Sequence, residues 1–105
     1  MEKEKTLQDL KSTLEGTSLT LFELDNKMEY LGLSSVFDEV GLINLFNNQS
    51  ASWNIDNYSW YNVEFEPTQK AVKALENYYN DSIDFAKLES ILESEKVKII
   101  SVDII

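Results

Sequence analysis

Between Ser12 and Gln69 the chain carries one positive side chain, Lys27, against nine acids: Glu15, Glu23, Asp25, Glu29, Asp38, Glu39, Asp56, Glu64 and Glu66. Whatever fold this stretch adopts, the surface built from it is anionic at physiological pH. The window holds −8 of the formal −10, while the residues before it are neutral and those after it carry −2. Such a field repels nucleic acid and attracts basic protein surfaces.

A chain of 105 residues, 43% of them apolar, is expected to form a single compact domain over residues 1–105 with a real core. It shows no basic, apolar N-terminal stretch of the signal-peptide kind and no apolar run near the length of a membrane span. The expected compartment is therefore the cytoplasm, with no membrane partner. Cysteine, histidine and arginine are all absent. That removes disulfides, thiolate zinc sites, the commonest general base and the bidentate clamps that grip phosphate or carboxylate.

The hydrophobic periodicity predicts an α+β fold: an N-terminal helical half of about three helices, then a β-hairpin, two helices and a C-terminal strand closing a small sheet. Thr6 with Asp9 reads as the first helix start, with Leu7, Leu10 and Leu14 as its stripe and Gly16 as its stop. Thr20 with Glu23 forms a capping-box pattern ahead of Leu21, Leu24, Met28 and Leu31, and Gly32 follows. Alternation around Leu19 and Leu21 also admits a hairpin over residues 18–32. Ser35 with Asp38 opens a third helical pattern through Val40, Ile43 and Phe46, bent or split at Gly41. Residues 47–52 read as loop, residues 53–55 and 58–66 as a hairpin turning at Asp56-Asn57, and 97–104 as a strand. Between these strands Pro67-Thr68 opens a helix bearing Ala71, Val72, Leu75, Tyr78 and Tyr79. Asp84 or Ser82 caps another, with Phe85, Leu88, Ile91 and Leu92 inward.

No motif for catalysis emerges. Nucleophilic chemistry of the Ser-His or Cys-His kind is impossible, and the three glycines stand alone rather than in a phosphate-binding loop. Pairs such as Glu89 with Glu93 are what any acidic chain contains, so no metal and no cofactor is expected. The aromatic run Trp53, Tyr58, Trp60, Tyr61 and Phe65 divides by strand alternation. Tyr61, Val63 and Phe65 share one face, suited to the core, while Tyr58 and Trp60 share the other with Asn62, Glu64 and Glu66. Aromatics on a strand suit single-stranded nucleic acid only beside a cationic groove, and this neighbourhood offers none.

The expectation is a non-enzymatic, acidic binding protein that blocks a basic, nucleic-acid-handling partner by presenting carboxylates where phosphates would lie. Its contacting charges are expected among Glu23, Asp25, Glu29, Asp38, Glu39, Glu64 and Glu66, without direct binding of nucleic acid. In composition the chain is similar to small acidic accessory proteins of phages and mobile elements, some of which are anti-CRISPR or anti-restriction inhibitors. The alternatives are an interaction module binding through exposed Tyr58 and Trp60, including as a homodimer, and an antitoxin or immunity protein for a basic toxin.

Overall fold

The structure, a computed structural model, describes residues 2–34, 40–56 and 58–105. In chain order the elements are α1 (Glu2–Leu14), β1 (Ser18–Leu19), α2 (Leu21–Tyr30), α3 (Leu42–Asn48), β2 (Ser50–Asn54), β3 (Trp60–Glu66), α4 (Gln69–Tyr79), α5 (Phe85–Ser94) and β4 (Val97–Ile104). The strands form one antiparallel sheet in the order β1-β4-β3-β2, so the last strand lies inside it. The fold is α+β, as the periodicity predicts.

Local signals place most helix starts. Thr20 and Glu23 close the expected capping box: the Glu23 N–H donates to the Thr20 hydroxyl at 3.1 Å and the Thr20 N–H to the Glu23 carboxylate at 2.9 Å. Thr68 caps α4 and Asp84, rather than Ser82, caps α5. Gly41 sits at φ +83°, a conformation open to glycine and strained for other residues, and it separates helical Val40 from α3. The start of that pattern at Ser35 and Asp38 lies outside the described residues.

Other boundaries shift where long-range pairing outweighs local preference. α1 begins at Glu2, not Thr6, and its first turn is engaged by the sheet, since the Tyr61 hydroxyl donates to the Lys3 carbonyl at 2.8 Å. The 18–32 ambiguity resolves as a two-residue strand followed by a helix, the strand pairing with β4 through Ser18↔Lys98 and Leu19↔Val97. β2 begins at Ser50, inside the expected loop, because its backbone pairs with β3 from Ser50↔Glu64 to Asn54↔Trp60. Tyr79 and Phe85, expected inward, are exposed at the α4–α5 connection, where both rings stand against Tyr78.

Inward side chains lie on a single face of the sheet. Ala51 and Trp53 of β2, Tyr61, Val63 and Phe65 of β3, and Val97, Ile99 and Val102 of β4 form one core with Leu10, Leu14, Leu24, Met28, Phe46, Leu88 and Leu92 from the helices. On β4 the alternation slips. Phe65 pairs with Ile99 but Glu64 with Ser101, so Ile100 is the extra residue of a β-bulge. Inward positions are thus Val97 and Ile99 before the bulge and Val102 after it.

Beyond the short β1, the edge of β4 is sealed by a helix. The Val102 N–H donates to the Glu15 carboxylate at 2.9 Å, and the Lys11 ammonium donates to the Val102 carbonyl at 2.8 Å and to Glu15 at 3.0 Å. Lys11 of α1 and Glu15, just past its end, thereby replace one residue of a neighbouring strand and blunt an edge open to aggregation. The Val102 N–H, and then Lys11, hold the Glu15 carboxyl below its ordinary range. Glu15 in turn raises Lys11. A carboxyl depressed by folding adds stability that is complete above its unfolded value, roughly pH 4.3. That stability is lost as pH falls through the lower folded value. Urea melts from about pH 6 to about pH 3 are expected to show the midpoint falling, with a flatter acid limb for Glu15→Gln. Identical limbs would show that the seal contributes nothing.

Candidate functional site

With the helices on one face, the opposite face of the sheet is left to solvent. It carries Ser50, Ser52 and Asn54 of β2, Trp60, Asn62, Glu64 and Glu66 of β3, and Lys98, Ile100 and Asp103 of β4, none of them buried. The register arranges these in rows: Ser52–Asn62–Asp103 across the middle, Ser50–Glu64–Ser101 next, and Glu66 opposite Lys98. The Ser52 hydroxyl donates to the Asn62 side chain at 2.9 Å, and the Ser101 hydroxyl lies 3.5 Å from Glu64.

Two ends of this face differ in character. At one end Trp60, 36% exposed, exchanges backbone hydrogen bonds with Ile105, whose side chain is also exposed. At the other a groove of about 590 Å³ runs from the sheet to the start of α4, lined by Ser50, Glu64, Glu66, Gln69, Val72 and Ile100 among others. Its charged lining residues are Glu64 and Glu66, and neither has a salt-bridge partner within 4.0 Å among the described residues.

The structure divides the sequence-predicted acids. Glu64 and Glu66 share the open sheet face. Glu23 and Glu29 are exposed on α2, in the helical layer, so they do not join that face. Glu23 is also engaged by its capping box, and the Thr20 backbone N–H lowers its pKa. Asp38 and Glu39 lie outside the described residues. Asp25 is a correction: it is 8% exposed, too buried to serve as a contacting charge, and its carboxylate accepts the Trp53 indole N–H at 2.8 Å. Its burial follows from spacing, since Asp25 stands four residues after Leu21 and three before Met28, on the inward arc of α2. Leu31, expected to prolong that arc, is instead the C-cap and nearly half exposed.

Tyr58 is 91% exposed, but it belongs to the turn before β3 rather than to the strand. The Asp56 carboxylate accepts the Tyr58 and Ser59 N–H groups at 2.8 and 2.9 Å, which lowers its pKa. Strand alternation therefore stops at Trp60, and Tyr58 is no part of the strand's face.

Sequence reasoning missed Ile100 and Asp103. Asp103 falls beyond the acidic window and is turned outward by the bulge, whereas Ile100 already stands on the outward phase set by Val97 and Ile99. The signal was present in the slipped apolar spacing of Val97, Ile99, Val102 and Ile104.

Among the described residues no cluster of three or more acids is placed to hold a metal ion, and no helix is long and apolar enough to cross a membrane. No protein-family model, curated protein or solved structure matches the chain.

Replacing Asp25 with alanine removes an acceptor from a buried donor and is expected to cost about 1–3 kcal/mol in urea unfolding. Asp25→Asn, which keeps a carbonyl oxygen for the indole, is expected to cost less. Equal costs for the two would show that the hydrogen bond is not the source of the loss.

Proposed function

We propose that this protein is a non-enzymatic, acidic binding protein that docks its open sheet face on a basic surface of a nucleic-acid-handling protein and inhibits it by occupying the path of the phosphates. The observation that carries this reading is the groove beside Glu64 and Glu66, on the same uncovered face as Trp60. A lysine or arginine side chain entering the groove meets two carboxylates, and its aliphatic stem meets Ile100 and Val72. Trp60 supplies a large aromatic anchor of the kind that concentrates binding energy at interfaces. Around both, the formal charge of −10 accelerates encounter with a cationic partner and disfavours nucleic acid itself. Acting in this way, the protein belongs with inhibitors of the anti-CRISPR or anti-restriction type in mechanism; a basic toxin would satisfy the same electrostatics.

The test is capture of partners from lysate by tagged protein at about 0.1 M and about 0.5 M salt, followed by affinity measurements on the partner recovered. Binding is expected to fall with salt, to compete with DNA or RNA, and to drop roughly tenfold or more for Glu64→Lys combined with Glu66→Lys. Trp60→Ala is expected to cost about 2 kcal/mol of affinity without unfolding the protein. A complex indifferent to salt and to the two lysines, yet abolished by Trp60→Ala, would replace charge mimicry with an apolar interface.

A further inference from the structure

We infer that the groove between α1 and α2 is a self-association surface, occupied by a second copy of this chain. The groove measures about 530 Å³, and its lining includes Leu10 and Leu14 from α1 and Tyr30 and Leu31 from α2 and its C-cap. Leu10 and Leu14 are buried and form a floor, while Leu31 is nearly half exposed and Tyr30 is 92% exposed. A large ring held almost wholly in water, next to an apolar hollow that it does not fill, gives one surface both a knob and a hole. Two-fold symmetry uses such a surface twice, each copy's Tyr30 entering the hollow of the other.

Charge selects a second copy over a basic or acidic partner. The charged lining residues are Asp9, on α1, and Lys27, on α2, and they sum to zero on a chain of −10. Lys27 is the lone cation of the acidic window. Among the described residues neither Asp9 nor Lys27 has a salt-bridge partner within 4.0 Å. In an isologous pair Asp9 of each copy faces Lys27 of the other, two reciprocal contacts from a single pair of residues. The charges that line the groove thus let two acidic chains meet there through opposite signs. It belongs to the helical layer and leaves the open sheet face untouched, so it stands independently of the function proposed above.

The experiment is sedimentation velocity across protein concentrations from about 1 μM to about 1 mM at moderate salt, since a surface of this size supports at most a weak, reversible dimer. The wild type is expected to show a concentration-dependent dimer. Tyr30→Ser and Lys27→Asp are each expected to shift it to monomer at about tenfold or higher concentration, with circular dichroism unchanged because both side chains are exposed. The double variant Asp9→Lys with Lys27→Asp restores the reciprocal pairs and is expected to recover the dimer. A wild type monomeric throughout overturns the inference. So does a dimer insensitive to Tyr30→Ser, or one lost with Trp60→Ala instead, which would place self-association on the sheet face. Failure to rescue with the double variant overturns the reciprocal pairing.

Discussion

The phase of β4, and with it what that strand gives to the core and to the open face, depends on the bulge at Ile100. β4 pairs with β1 on one side and β3 on the other, so its phase decides which residues meet the core. Without the extra residue, a strict alternation from Val97 and Ile99 would send Ser101 and Asp103 inward and Val102 to water. The bulge restores Val102 to the core, turns Asp103 toward Asn62 on the open face, and leaves Ile100 to line the acidic groove. The same slip aims the Val102 backbone at Lys11 and Glu15, which seal the strand's outer edge. One inserted residue therefore sets both the composition of the candidate site and the closure of the sheet.

What the sequence discloses and what it conceals follow a physical division. Capping by Thr20, Thr68 and Asp84 depends on residues three positions apart, so the Thr20 box was readable outright, the start of α4 to Pro67-Thr68 and that of α5 to Asp84 or Ser82. The inward set Tyr61, Val63 and Phe65 was readable as well, since strand alternation is local. Concealed features depend on partners far along the chain. Ser50 to Ser52 has weak strand preference and joins the strand because β3 pairs with it. Local spacing places Asp25 on the inward arc of α2, but the donor that its carboxylate meets there, the Trp53 indole N–H, comes from 28 residues away. For the site, alternation exposed Trp60, Glu64 and Glu66 but extended one step too far, to Tyr58, where the Asp56 turn has already interrupted the strand.

The acidic window also changes meaning once its members are placed. Glu15 seals an edge, Glu23 closes a capping box, Asp25 accepts an indole N–H and Asp56 shapes a turn. Each of these carboxylates answers a backbone or side-chain donor of the same chain, so its position is explained by folding alone. Their charges still contribute to the long-range field, which falls off over the Debye length rather than with contact geometry. Glu64 and Glu66 differ, because they stand on an uncovered face beside a groove. Under the proposed function, net charge would bear on how fast a cationic partner arrives, and these two residues on where it is held.

The two surfaces have opposite electrostatic logic, and the fold keeps them apart. The sheet face is acidic, with Glu64, Glu66 and Asp103 against Lys98, whereas the charged residues of the α1–α2 groove cancel. Because the helices cover one side of the sheet only, a second copy seated on the helical side leaves both acidic faces free. If both proposals hold, the pair would present two equivalent faces, which a partner with repeated basic sites would engage at an effective concentration set by the dimer's own geometry. A one-sided sheet therefore does more than leave a surface uncovered: it keeps the acidic groove of the sheet face apart from the charge-balanced groove of the helical layer.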